Sequence, residues 1–221
     1  MARTADVLVK HMFKTGALLG LFAIVGTALI AFTFDNTAER IATEEREFLL
    51  RSIQALIPAS SYDNDLYSDT ISVRSPTLLG SSDPIPVYRA RKDGKPVALV
   101  MEPIAPDGYS GAIKLLVAIA YDGTILGVRV LSHQETPGLG DNIEIGKSNW
   151  ITGFNGHSLS NPDAKEWHVK KDGGIFDQFT GATITPRAVV KAVHNSLKYF
   201  SQHRDALFAQ TATKTEAPHH G

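Results

Sequence analysis

The sequence predicts an α+β protein: a single N-terminal transmembrane helix, followed by a domain with a twisted antiparallel sheet flanked by helices. Three observations carry that prediction. An uncharged apolar run lies near the N-terminus, two pairs of Val/Ile-rich segments each fold about an Asp-Gly turn, and an amphipathic stretch with helix-start residues lies near the C-terminus. The 221 residues suffice for one modest domain plus a membrane tether. Lys+Arg number 22 against 23 Asp+Glu, a formal charge of -1, so no broad positive field exists for nucleic acid and none is expected as a partner. A hydrophobic content of 43% with 20% charged residues describes a chain with a real core. Zero cysteines exclude disulfides, thiolate zinc sites, iron–sulfur ligation and Cys nucleophiles, so any redox chemistry must come from a non-thiol cofactor.

Residues 15–34 (TGALLGLFAIVGTALIAFTF) carry no charge, and a helix of this length crosses roughly 30 Å of hydrocarbon. Arg3, Lys10 and Lys14 precede it while Asp35 and Glu39 follow, the asymmetry that keeps an N-terminus cytoplasmic. Residues 1–14 are therefore expected on the cytoplasmic side of the membrane, with the remainder outside the cytoplasm. A cleaved signal peptide is the alternative, but Leu29 and Ile30 stand where small residues would precede a cut. Residues 35–58 read as an amphipathic stalk helix with Ile41, Phe48, Leu49, Ile53 and Leu56 at helical spacing and Pro58 as its stop. Its apolar stripe suits either a neighbouring membrane subunit or its own domain.

The exported domain is expected over 59–210. Residues 86–101 form one hairpin about Asp93-Gly94, and residues 111–133 a second about Asp122-Gly123. Few helix periodicities occur there, so the four segments share one antiparallel sheet. The C-terminal helix has Thr185 as cap, Pro186 as first residue, and Val189, Val193, Leu197 and Phe200 as its buried stripe. Residues 211–221 lack apolar pattern and read as a disordered tail.

Familiar catalytic patterns fail. His133-Gln134-Glu135 has the H-x-E form of zinc deaminases without their cysteines, and Gly108-Tyr109-Ser110-Gly111 lacks the spacing of a nucleophile elbow. Neither a G-x-G-x-x-G turn nor a phosphate loop is present, which argues against freely bound dinucleotides and nucleoside triphosphates. The informative stretch runs from Asp177 to Pro186 (DQFTGATITP). Gly181 and Ala182 permit close backbone approach, and Thr183 places a hydroxyl two positions ahead of a helix start, where free N–H groups and a partial positive charge favour phosphate. An ordinary capped turn fits the same spacing.

The run Asp177-Gln178-Phe179-Thr180-Gly181-Ala182-Thr183 resembles the D-x-x-[ST]-G-A-T signature of FMN-binding domains whose last threonine carries FMN through a phosphoester bond. With HQETPGLGDNI and the single anchor, the chain resembles the G subunit family of Rnf-type ion-translocating electron transport complexes; the similar C subunit of the sodium-pumping NADH:quinone reductase is a near relative. The resemblance implies FMN attached through its phosphate at Thr183, with Thr180, Gly181 and Ala182 around the phosphate. It implies a flavin pocket lined by Glu135, Thr136, Gly138, Leu139, Gly140 and Tyr109, where a plain loop is the other reading. Trp150 and Phe154 are further candidates for the ring, or else core, and His133 and His168 read as structural. The implied partners are a flavin transferase that takes FMN from FAD, the other membrane and peripheral subunits of the complex, and membrane lipid. Asp177 is either a recognition element for that transferase or a turn-forming carboxylate. No catalytic residue and no metal site belong to this chain alone. The implied function is an electron-carrying flavoprotein subunit of a ferredoxin:NAD oxidoreductase translocase, with a non-redox tethered module as the alternative in a different class.

Overall fold

The computed structural model describes residues 2–209, so the expected tail at 211–221 lies outside the described residues. The chain divides into two compact units, Met1–Leu49 and Leu50–Gly221. The described part of the first unit is helical throughout, within α1 (Ala2–Leu56). Its stretch His11–Ala38 reaches a mean hydropathy of 2.3 over 28 residues, long and apolar enough to cross a membrane. Phe13, Leu19, Phe22, Ile30 and Phe32 are exposed along it. The hydroxyls of Thr33 and Thr37 donate to the carbonyls of Leu29 and Thr33, both at 2.8 Å, so these polar side chains of the apolar stretch are satisfied within the helix.

The second unit is built on six strands: β1 (Thr70–Ser75), β2 (Ser81–Lys92), β3 (Lys95–Met101), β4 (Ile104–Ala105), β5 (Ile113–Ala120) and β6 (Ile125–Ser132). All pairings are antiparallel. Met101 pairs with Val117 and Ile104 with Lys114, a constant register, so β3 and β4 are one line of chain interrupted at Glu102-Pro103, along one edge of β5. The other edge of β5 takes β6. Both expected hairpins are present, turning at Asp93-Gly94 and at Asp122-Gly123. The first strand of the first hairpin begins at Ser81 instead of Pro86. Proline is tolerated at 84 and 86 because β3 pairs with β2 only from Val87 onward, leaving that edge of β2 free of a ladder there.

The central strand is buried on both faces. Ile113, Leu115, Val117 and Ile119 join Val189, Val193 and Leu197 of α2 (Ile184–Ala209) in the main core. On the opposite face Leu116 and Ala118 are fully buried, as are Ile53 in the last turn of α1 and Ile57 just after it. Gly127, the β6 partner of Ala118, lies directly under the end of α1: a Cβ there would fall 2.6 Å from Leu56 Cδ2, so that leucine would have to move. The last turns of α1 and the length of α2 therefore sandwich the sheet. Of the apolar stripe read in the stalk, Ile53 and Leu56 are buried, while Ile41 and Phe48 are exposed.

The far end of α2 is held by charge. Arg89, 2% exposed, donates from Nη1 to the Leu207 carbonyl at 3.1 Å and pairs with Asp69. Arg91 donates to Asp69 at 2.7 Å and to the Phe208 carbonyl at 2.7 Å. Two arginines thus serve carbonyls in the last turn of the helix, where intrahelical donors run out and the helix dipole favours cations. Asp69 offsets both. Its replacement by Ala leaves buried guanidinium charge uncompensated and should destabilise the chain by about 3 kcal/mol in urea unfolding, with α2 otherwise intact by circular dichroism.

His194, 9% exposed, stacks on Trp167 with ring centroids 5.0 Å apart. Burial first, then the neighbouring Lys198 and His168, pushes its imidazole from 6.5 down to about 4. The folded state thus binds fewer protons here than the unfolded chain, and stability is complete above the unfolded value and lost as pH falls through this interval. His194→Gln should flatten the acid limb of the stability curve between pH 6.5 and pH 4, measured by thermal unfolding against pH.

Candidate functional site

The stretch Asp177 to Pro186 forms a turn that feeds directly into α2. The Ala182 N–H donates to the Phe179 carbonyl at 3.1 Å, and Gly181 sits at φ +80, a backbone conformation open to glycine and strained for a residue with a Cβ. Phe179 packs edge-on against Trp150 at 5.2 Å, and the Trp150 indole N–H donates to the Asp177 carbonyl at 2.7 Å. Trp150 in turn leans on Phe154, which is fully buried. These two aromatics hold the turn from the core side; Phe154 belongs to the core.

The helix begins two residues earlier than its sequence signals suggest. Its first described residue is Ile184, and the Arg187 N–H reaches the Thr183 carbonyl at 3.4 Å, so Thr183 occupies the cap position in place of Thr185. Pro186 falls inside the first turn, where a missing N–H costs nothing. Thr185 cannot cap because it is fully buried and its hydroxyl is committed elsewhere: it donates to the Glu135 carboxylate.

Glu135 gathers three separate segments. It is 4% exposed. One carboxylate oxygen accepts from Thr185 at the start of α2; the other accepts from the Ser110 N–H at 3.0 Å. Its own N–H donates to His133 Nδ1 at 3.0 Å, and His133 Nε2 lies 2.7 Å from a Glu144 carboxylate oxygen. Two glycines are required around it. A Cβ at Gly140 would fall 2.8 Å from Glu135 Oε2 and 3.0 Å from Thr185 Oγ1, and one at Gly108 would fall 2.9 Å from Glu135 Oε1. The Leu139 and Gly140 N–H groups both donate to the Thr136 carbonyl, which closes the 136–140 turn, and Gly138 there takes φ +77.

This arrangement brings the two motifs together. A Cβ built at Gly181 would touch Leu139 Cδ2 at 3.6 Å, so the turn ahead of Thr183 lies against the turn after Glu135. Ser110, bonded to Glu135, places its neighbour Tyr109 on the same assembly. Thr183 and Ala182 are half-buried, while Thr180, Gly181, Thr136 and Gly138 are exposed on the surface side of the two turns. Tyr109, Leu139 and Ile184 stay exposed at 67%, 42% and 46% despite being apolar. Asp177 is outside this group: its carboxylate pairs with Lys170 at 2.6 Å on the exposed flank. His168 is exposed, beside a separate cavity of about 480 Å³ on α2, and takes no part in the turn.

Thr185, Ser110 and the His133–Glu144 pair join the site only through the fold. H-x-E is visible in the sequence, but its histidine is seen to serve the glutamate only in three dimensions. Removing the glutamate carboxylate leaves a buried hydroxyl and a backbone N–H without acceptors. Glu135→Ala should therefore destabilise the chain by about 2–3 kcal/mol in urea unfolding. Gly140→Ala, which crowds the same carboxylate, should lower stability in the same measurement and raise protease sensitivity of the 136–140 turn.

The family model described as FMN-binding domain matches residues 108–198, and that described as RnfG N-terminal region matches residues 1–56. A relative from Pseudomonas aeruginosa (strain UCBPP-PA14), the G subunit of an ion-translocating oxidoreductase complex, is 50% identical over 200 residues, covering 90% of this chain and 94% of its own. Its counterpart from Shewanella oneidensis is 50% identical over 199 residues, with 90% and 94% covered. That of Vibrio cholerae is 50% identical over 197 residues, with 89% and 94% covered.

Proposed function

The chain belongs to the family of G subunits of ion-translocating oxidoreductase complexes, and from that premise we propose that Thr183 carries FMN through a phosphoester bond on the outer side of a bacterial inner membrane. It is an FMN-binding, electron-carrying flavoprotein subunit of such a complex, with other subunits of the complex as its partners. The sodium-pumping quinone reductase and the non-redox module give way to this reading, because the N-terminal region matches the RnfG model, an FMN-binding domain follows it, and the relatives that cover 90% of the chain are G subunits. Its candidate membrane span fits a single-pass membrane protein.

The observation that carries the covalent reading is the position of Thr183 at the amino end of α2, next to exposed apolar surface. The first-turn N–H groups have no intrahelical acceptors, so a phosphate ester on Thr183 meets donors and the positive end of the helix dipole. Thr180 and the backbone of Gly181 and Ala182 complete the phosphate seat. Leu139, Tyr109 and Ile184 offer the flavin ring apolar contact that water alone covers otherwise. When bound, FMN supplies one- and two-electron transfer, and this chain holds it in place and tunes it.

In the maturation step, the Thr183 Oγ–P bond forms as the pyrophosphate bond of FAD breaks and AMP leaves, with the hydroxyl proton taken by a base of the transferase. This chain is the substrate there, and the exposed carboxylate of Asp177, paired with Lys170, is the element we assign to recognition by that enzyme. Residues 1–14 remain cytoplasmic, 15–34 lie among lipid and 59–210 form the periplasmic domain, with electrons passing between this FMN and cofactors of partner subunits of a ferredoxin:NAD oxidoreductase.

Coexpression with the transferase tests this. The chain should give a flavin-fluorescent band that survives denaturing electrophoresis, and a peptide spanning Ile175 to Arg187 should gain the mass of one FMN less one water. Thr183→Ala should abolish both with little loss of stability, since the helix cap costs only about 1 kcal/mol. A matured wild-type chain without the added mass would overturn the proposal.

A further inference from the structure

His133 stands at the end of β6 with its ring between two groups of opposite demand. The Glu135 backbone N–H can only donate, so Nδ1, 3.0 Å away, must accept. The ring's one proton in the neutral state is then on Nε2, aimed at Glu144 at 2.7 Å. Glu135, whose orientation this bond helps to set, spends its carboxylate on Thr185 and Ser110, the residues beside the FMN seat.

We propose that His133 is the positioning residue of the flavin site: as the Nε2–H tautomer it latches the Glu135 backbone, and taking up a second proton releases that latch and loosens the seat. The consequence for flavin rests on the FMN reading above; the latch itself does not.

A doubly protonated ring turns Nδ1 into a donor facing a donor. The Glu135 N–H, in a residue 4% exposed, then loses its acceptor without access to water. Glu144 attracts the added charge, but its side chain is 42% exposed and that attraction is screened. The other charges nearby are Lys114, on β5 in register with Ser132, and Asp141, paired with Lys147 at 3.5 Å on the loop that carries Glu144. Asp141 is already engaged by Lys147. Acid therefore opens the latch.

The full-length chain in detergent micelles, labelled with ¹⁵N-histidine, tests this directly, with His133 assigned by its loss in the variants. The wild-type ring should show an unprotonated Nδ1. Hydrogen-exchange protection of the Glu135 amide, corrected for intrinsic rate, should fall by about tenfold or more as the His133 ring signals themselves report uptake of the second proton. In His133→Asn the amide oxygen sits as far along the side chain as Nδ1 and carries no titrating proton, so protection should persist across the same pH series. In His133→Ala it should be low throughout. In the flavin-bearing chain, the midpoint potential should show an inflection with pH that His133→Asn removes. An Nδ1–H signal, or an unchanged pH response of the Glu135 amide in His133→Asn, overturns the proposal. Neither reading needs flavin, so a chain that carries none leaves this test intact, and a flavin-bearing chain with an unresponsive Glu135 sinks the latch alone.

Discussion

A buried carboxylate holds the site together. Glu135 has almost no access to water, so its charge is tolerable only while the hydroxyl of Thr185 and the N–H of Ser110 solvate it. That demand acts in reverse as well. Three stretches that are far apart in sequence, around residues 108–111, 133–140 and 181–185, must converge on one group, and the glycines at 108 and 140 are the residues small enough to let them. Everything proposed for Thr183 depends on that convergence, because it sets where the amino end of α2 emerges.

The sheet supplies the rigid base. Its central strand is covered by α2 on one face and by the end of α1 on the other, so β5 and β6 have little freedom to shift and the 133–140 loop leaves the sheet from a defined point. At the far end of α2, Arg89, Arg91 and Asp69 anchor the helix by its last carbonyls. A helix fixed at both ends and along its buried stripe presents its first turn at a constant position, the condition that electron transfer over short distances places on a bound cofactor.

The exposed apolar residues around Thr183 acquire a reason in this light. An attached ring needs a surface to lie on and an open side from which electrons reach neighbouring subunits. A deeply enclosed pocket would satisfy the first need and defeat the second. The covalent attachment proposed at Thr183 would compensate for the shallow seat, since binding would no longer have to come from enclosure.

The anchor, both hairpins, the antiparallel sheet and the C-terminal helix are legible in the amino-acid order because each rests on local signals: an uncharged run, Asp-Gly turns, an i, i+3, i+4 apolar stripe. So is the Thr180–Thr183 motif, whose residues are contiguous. β1, β4 and the early start of β2 escape such a reading because short edge segments take their strand character from the neighbour they pair with. Thr185 misleads for a related reason: a threonine before a proline is a good cap by local rules, and only the distant Glu135 draws its hydroxyl inward. Sequence alone therefore determined the elements and the residue that bears the hydroxyl. Tertiary structure decided which groups surround it, because a buried charge selects its partners by proximity in space, and that proximity exists only after the chain has folded.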